Sequence, residues 1–350
     1  MSRAALCFER AAKMSDGDGA FCLYKLYRSQ PELQNEAERQ LERAISLYES
    51  KDDIFSALKL GKLYSDVDTS KFDFEKAKEL LLQVAHSDDN NAAEMAEYPL
   101  AKLFIGQGEK CYGDALMWLE KAFDHGNIYS ALAAAKILSD SQTHFYNVKA
   151  AKEWLAKAIE LTEKNPCSEE LVAELNYRLG RLHLSDEDYL PQQAEECLKR
   201  SVSFGNAYAM YTLARLYIND DSLKDLNSAI TLLNNAKSSE PTLSPFVDYT
   251  LGTMYLFEKE VRDATLAKKY LAASANAGNE YAQMILDSQS ADCVLSLISS
   301  VGMLLAENME SDRAALSECS SAAFGHGDMS VGQIREYLLK LQDKENTAQM

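Results

Sequence analysis

The chain has 350 residues, with 36 Lys and Arg against 54 Asp and Glu, for a formal net charge of −18 at pH 7. Only 15 Gly and 6 Pro are spread over that length, which excludes an all-β or loop-rich fold, while 47% hydrophobic residues exclude a disordered chain. So acidic a chain is a poor polyanion binder unless its cations are gathered in one place, and direct nucleic-acid binding is not expected.

The N-terminal stretch meets Arg3, Glu9 and Arg10 before any apolar run long enough for a signal peptide, so nothing directs export and a cytoplasmic location is expected. One helix type recurs from the start. An Ala opens its apolar part at Ala4, Ala37, Ala77, Ala115, Ala151, Ala194, Ala229 and Ala267, at intervals of 33, 40, 38, 36, 43, 35 and 38 residues. Four residues on stand Phe8, Leu41, Leu81, Leu119, Leu155, Leu198, Leu233 and Leu271, and three further on come Ala11, Ala44, Val84, Ala122, Ala158, Ser201, Ala236 and Ser274. Offsets of four and seven share one helical face, so each segment is an amphipathic helix, here named helix B.

Between successive B helices runs a second pattern, apolar-small-x-apolar-aromatic. Its clear copies are Leu60-Gly61-Lys62-Leu63-Tyr64, Leu100-Ala101-Lys102-Leu103-Phe104, Leu179-Gly180-Arg181-Leu182-His183, Leu213-Ala214-Arg215-Leu216-Tyr217 and Leu251-Gly252-Thr253-Met254-Tyr255. Weaker copies lie at Leu23 to Tyr27 and Ala134 to Leu138. The central position precedes the next helix-B Ala by 13 to 16 residues, so helix A and helix B form an αα-hairpin in which a small residue facing the Ala permits close approach. The joins agree. Gly126-Asn127, Gly205-Asn206 and Gly278-Asn279 supply left-handed helix ends, and Asp73, Asn147, Asp225 and Asp263 stand where helix B takes its N-cap. Pro99, inside one helix A, is expected to kink it or shorten its first turn.

A single hairpin buries too little to be stable, and stacking supplies the continuous core of an all-α solenoid. In its Tyr-x-Leu-Gly/Ala-x-Leu-Tyr strings, its Ala-x-x-x-Leu-x-x-Ala strings and its Gly-Asn joins, the chain over residues 1–287 resembles the Sel1-like repeat family, relatives of tetratricopeptide repeats. Unequal repeat lengths favour the Sel1-like form over tetratricopeptide repeats of fixed period. The resemblance implies a right-handed superhelix of stacked antiparallel helix hairpins acting as a non-enzymatic protein-interaction scaffold.

Both ends carry expectations. The chain starts on a helix B without its helix A, which implies missing upstream sequence and an apolar face open to oligomerisation or a partner. Residues 288–306 are expected to form a C-terminal capping helix, and residues 307–350 a mobile Ser- and Gly-rich segment with a short amphipathic helix at Ile334 to Leu341. The tail Phe324-Gly325-His326-Gly327-Asp328-Met329-Ser330, with Gln333-Ile334 and Lys344-Glu345-Asn346-Thr347, resembles the C-terminal end of some plasmid-mobilisation relaxases of Gram-positive gut bacteria. That resemblance implies a non-catalytic part of a relaxase whose N-terminal catalytic domain is missing.

The chemistry of a catalytic site is absent from the pattern. His86, His125, His144, His183 and His326 fall in no metal or nucleophile-base spacing, and His183 takes the place of a packing aromatic. No phosphate loop, H-E-x-x-H or G-x-S-x-G occurs. Acid groups such as Asp88-Asp89, Asp186-Glu187-Asp188 and Asp220-Asp221 belong to inter-helix loops, where solvated charge is ordinary. Seven cysteines, odd in number and without C-x-x-C, read as reduced thiols. No apolar run reaches the ~20 residues of a membrane helix. Hence no catalysis, cofactor, metal or membrane is expected.

The cations do fall in a row. Numbered from the small residue of helix A, positions −4, −1, 0 and +3 form the hairpin core, whereas −6, −3, +1 and +4 share another face, which in helical-repeat solenoids usually lines the concave side. Position −3 holds Phe21, Leu58, Tyr98, Leu132, Tyr177, Tyr211 and Tyr249; position +1 holds Lys25, Lys62, Lys102, Lys136, Arg181, Arg215 and Thr253. Position −6 adds Phe55, Met95, Tyr129, Tyr208 and Phe246, but also Asp18 and Glu174. Each repeat therefore sets a cation four residues from an apolar or aromatic side chain. One reading is a positive, tyrosine-studded groove for an extended acidic or phosphorylated peptide, carried by Lys62, Tyr98, Lys102, Lys136, Tyr177, Arg181, Tyr211, Arg215 and Tyr249. The other is that the cations pair with neighbouring acids and cover apolar surface with their stems.

Overall fold

The computed structural model describes residues 3–287 apart from Ser15, Pro166 and residues 186–188, and the expected C-terminal cap, mobile segment and relaxase-like tail lie outside the described residues. Two compact units divide the chain, Met1–Ser130 and Ala131–Met350. Among the described residues the elements are α-helices joined by short loops, with 3-10 turns at Pro31–Leu33, Glu109–Cys111 and Pro241–Leu243 and no strand. The first unit holds α1 (Arg3–Lys13), α2 (Gly17–Tyr27), α3 (Gln34–Glu49), α4 (Ile54–Tyr64), α5 (Phe74–Ala85), α6 (Asn90–Ile105) and α7 (Tyr112–Asp124). After α8 (Tyr129–Leu138), the second unit continues with α9 (Val148–Lys164), α10 (Glu169–His183), α11 (Pro191–Ser203), α12 (Ala207–Asn219), α13 (Leu226–Ser239), α14 (Ser244–Phe257), α15 (Ala264–Asn276) and α16 (Glu280–Asp287). Odd-numbered helices are the B helices of the repeat and even-numbered ones the A helices.

Each unit is a stack of helix hairpins, the all-α solenoid architecture expected from the repeat. In the first unit α2 packs on α3, α4 on α5 and α6 on α7; in the second, α10 packs on α11, α12 on α13 and α14 on α15. The core is built from the repeating positions. Leu41, Leu81, Leu119, Leu155, Leu198 and Leu233 are fully buried, as are most of the Ala three and four residues to either side. Burying one such Leu is worth roughly 1.5–3 kcal/mol, and helix A adds a larger buried set, as Leu58, Leu60, Leu63 and Tyr64 in α4.

The small residue of helix A meets the Leu of helix B rather than its Ala. A Cβ built on Gly180 would stand 2.9 Å from Leu198 Cγ, and the same construction puts Gly61 2.8 Å from Leu81 Cγ and Gly252 2.7 Å from Leu271 Cγ. A large buried side chain of one helix thus fills the gap left by the smallest of the other, which is how close packing at native density is reached. The expected Gly-to-Ala facing is corrected accordingly: at Gly180 it is the Ala194 carbonyl oxygen, at 3.3 Å, that comes next.

Loops repeat as regularly as helices. The backbone N–H of the residue entering helix B donates to a carbonyl near the end of helix A, as from Asp73 to Tyr64 (3.0 Å), Asn147 to Leu138 (2.7 Å), Leu190 to His183 (2.8 Å), Asp225 to Tyr217 (3.0 Å) and Asp263 to Tyr255 (2.9 Å). The four expected N-caps are in place: the side chains of Asp73, Asn147, Asp225 and Asp263 accept from Lys76, Ala150, Ser228 and Leu266 N–H at 2.9 to 3.1 Å. At the far end of helix B, Gly205 takes φ +83° and Gly278 φ +95°, the left-handed conformation that glycine adopts without steric cost. Asn206 and Asn279 then cap the following helix A, accepting from Ala209 (2.9 Å) and Ala282 (3.2 Å).

Pro99 does not shorten its helix. α6 runs unbroken from Asn90 to Ile105, with Asp89 accepting the Ala92 N–H at 3.0 Å as N-cap. A proline ring withholds a donor from the carbonyl four residues earlier, here that of Met95, an exposed residue.

Candidate functional site

Two positions of the hairpin core hold acids that the repeat pattern does not announce. Glu97 of α6 and Asp248 of α14, both at position −4, are 6% and 5% exposed. Each is answered from the end of a B helix: Glu97 Oε2 lies 2.8 Å from His125 Nδ1 beyond α7, and Asp248 Oδ1 lies 2.5 Å from Lys237 Nζ in α13. The hydrogen bond to Glu97 holds the His125 imidazole above its ordinary pKa. Ser201 and Ser274, at the last small position of helix B, donate 2.7 Å hydrogen bonds to the carbonyls of Ala173 and Pro245 in the first turns of α10 and α14. These buried polar groups have partners within the stack and are used by the packing.

The row of cations on helix A is different. In the first unit Lys25 and Lys102 are exposed and Lys62 is half-buried. No described carboxylate pairs with any of the three, although neighbouring cations are paired: Lys59 with Asp18, Arg28 with Asp66 (3.7 Å), and Lys71 with Glu42 (3.2 Å). Burial pushes the Lys62 ammonium below its ordinary pKa, and the adjacent Lys59 adds to the effect. Lys25 Nζ sits 4.6 Å from the centre of the Phe21 ring.

Around these three lies apolar surface. Phe55, Met95 and Tyr129, at position −6 of their helices, are 38%, 45% and 53% exposed. Between them and the cations, at position −3, Leu58 is buried while Phe21 and Tyr98 are half-buried. Burial raises the Tyr98 phenol above its ordinary pKa, with Tyr129 beside it contributing.

In the second unit the same register gives stacked cations over buried rings. Tyr177, Tyr211 and Tyr249 are only 6%, 2% and 6% exposed. Tyr211 Oη and Thr250 Oγ1 are 3.3 Å apart, Tyr177 packs 6.3 Å from the Tyr208 ring, and Tyr249 packs with Leu271, Ala282 and Ile285. These tyrosines therefore spend their area on packing between repeats. The partly exposed guanidiniums of Arg181 and Arg215 lie over Tyr177 and Tyr211, each 5.5 Å from the ring centre. Partial desolvation pushes the Lys136 ammonium down, with Arg178 adding to it, against an opposing pull from Asp140. Lys136 and Arg215 have no ion pair with a described carboxylate, and Arg178, at position −2 of α10, has one with Glu174 at 2.5 Å.

Elsewhere, no three His, Cys, Asp or Glu side chains among the described residues lie together as a metal site, and no described helix is long and apolar enough to cross a membrane.

No protein-family model and no curated protein matches the sequence. Solved structures do. The chain is similar to a Sel1 repeat protein from Oxalobacter formigenes, at 21% identity over 86% of this chain and 82% of that one, with a TM-score of 0.49. It is also similar to c5321, a protective antigen present in uropathogenic Escherichia coli strains that displays an SLR fold, at 15% identity over 83% of this chain and 70% of that one, with a TM-score of 0.50. A third, immunity protein Pa5087 from Pseudomonas aeruginosa, matches at 16% identity over 65% of this chain and 82% of that one, with a TM-score of 0.32. The likeness to c5321 gives this chain the SLR fold, the one read from its repeats.

Proposed function

We propose that the chain is a non-catalytic scaffold that binds an acidic segment of another protein along the helix-A face of its repeats. The observation that carries this is the set of Lys25, Lys62, Lys102, Lys136 and Arg215: one cation per repeat, without ion pairs to described carboxylates, in a protein of net charge −18. Elsewhere Lys59, Lys71, Arg178 and Lys224 pair with acids, whereas Lys76, Lys121 and Lys269 lie over aromatic rings of their own; what sets the helix-A cations apart is their matched place in successive repeats. Cations stacked on aromatic rings are held in place before a ligand arrives, which lowers the ordering cost of binding. Exposed Phe55, Met95 and Tyr129 add the apolar area that an interface needs at its centre.

The test is a paired charge reversal, Arg181→Glu with Arg215→Glu, assayed by titration with a fluorescent polyglutamate peptide at low and physiological salt. The reading expects the wild type to bind, with affinity falling as salt rises, and the variant to melt at the same temperature but bind several-fold more weakly. A variant that binds the peptide as the wild type does would remove the second unit from the interface.

A further inference from the structure

The spacing of the first unit's cations specifies the conformation of the acidic segment, an inference that rests on the acidic-segment reading above. Helices α4 and α6 carry Lys62 and Lys102, and their Cα atoms approach within 8 Å. The preceding helix α2, with Lys25, is tied to α4 by the Lys59 to Asp18 ion pair. Helices packed side by side have axes about 8–10 Å apart, so the matched backbone positions of Lys62 and Lys102 recur at about that interval across the face. A β-strand repeats a side chain on the same face every two residues, about 6.6 Å, or every four, about 13 Å, and neither matches. A polyproline II helix repeats every three residues, about 9.3 Å, which does.

The width of the face agrees. From position −6 to position +1 is seven residues, about 10.5 Å along a helix, with Phe55, Met95 and Tyr129 on one side and the lysines on the other. One extended chain covers a strip of that width. With acids of a polyproline II segment on the lysine side, the next face of its three-fold helix turns toward Phe55, Met95 and Tyr129, and proline rings pack well on exposed aromatic side chains. We propose that the first unit binds a polyproline II segment of its partner carrying an acidic residue at every third position, with prolines between.

The probe is an acetylated, fluorescently labelled (Glu-Pro-Pro)₄ peptide, measured by anisotropy against the full chain. Two peptides of the same composition serve as controls, one with its four Glu in a block and one with Glu at every second position followed by the remaining prolines. Placing acids opposite successive lysines, each exposed pair being worth up to about 1 kcal/mol, should make the three-residue spacing bind about fivefold tighter than either control. In the Lys62→Glu, Lys102→Glu variant the preference should vanish; if that variant melts early, Lys62→Gln with Lys102→Gln should cut the slope of log affinity against log salt by about two thirds instead. Equal affinity for all three peptides would overturn the spacing while leaving the acidic-segment reading in place. Absence of binding by all three would overturn both.

Discussion

The contact of Gly180 with Leu198 predicts a change of sign. In a helix interior Gly→Ala ordinarily gains about 1 kcal/mol from backbone propensity. At Gly180 the new methyl would lie 2.9 Å from Leu198 Cγ, 3.1 Å from Cδ2 and 3.3 Å from the Ala194 carbonyl oxygen; both residues are fully buried, and the nearest atom is the branch carbon of Leu198 rather than a free tip. Overpacking of this kind costs about 1–3 kcal/mol, so Gly180→Ala should lose up to about 2 kcal/mol net. Leu198→Ala should lose about 3 kcal/mol, since Leu198 is fully buried and its removal leaves a cavity. In the double variant the clash is gone and the methyl enters the vacated space, so Gly180→Ala should now stabilise by about 1 kcal/mol. The coupling, about 1–3 kcal/mol, is read from urea midpoints followed by circular dichroism, with slopes compared among the four proteins to detect repeats unfolding separately. If Gly180→Ala stabilises equally in both backgrounds, the glycine is not at a close approach and the packing account fails.

Three further outcomes follow from single sites. The His125 imidazole, held up by Glu97, should titrate by NMR above the ordinary value of about 6.5, and Glu97→Gln should bring it down. Because the folded pKa is the higher one, the pair's contribution is complete below about pH 6.5 and fades as pH rises through the folded value; stability that is flat over that window would refute it. Asp225 caps α13 through hydrogen bonds from the Ser228 N–H (3.0 Å) and hydroxyl (2.6 Å), so Asp225→Ala should cost about 1 kcal/mol in thermal melts and Asp225→Asn little. Those bonds hold the Asp225 carboxylate below its usual pKa, so its contribution is lost only as pH falls through that lowered value. Gly205, at φ +83°, should lose about 1 kcal/mol or more on change to Ala, although nothing lies within 4 Å of the added methyl; an unchanged melting temperature would contradict the left-handed cap.

Helix pairing was legible because it depends on offsets of four and seven and on Gly-Asn joins, local features that a sequence displays. The reach of α6 through Pro99 was not: whether a proline ends a helix depends on the capping and packing around it, and Asp89 with buried Ala92 and Ala96 carries the helix past it. Glu97 and Asp248 were also hidden, since a carboxylate at a core position is explained only by His125 and Lys237, 28 and 11 residues away. The cation row itself could be read from register. What register could not show is that the face divides, with Tyr177, Tyr211 and Tyr249 at position −3 buried between repeats while Phe55, Met95 and Tyr129 at position −6 stay exposed. Exposure at either position depends on the next repeat, which differs from copy to copy.

Protection of individual lysines from acylation tests the helix-A surface most directly. The chain is treated briefly with an acetylating ester, with and without the (Glu-Pro-Pro)₄ peptide, and each lysine is followed by mass spectrometry. Without peptide, Lys62 should react readily, because its lowered pKa leaves more neutral amine at a given pH. With peptide, Lys25, Lys62 and Lys102 should be protected while Lys76, Lys121 and Lys269, exposed on B helices, react as before. Protection spread evenly over both sets, or confined to the B helices, would contradict the assignment of the binding surface.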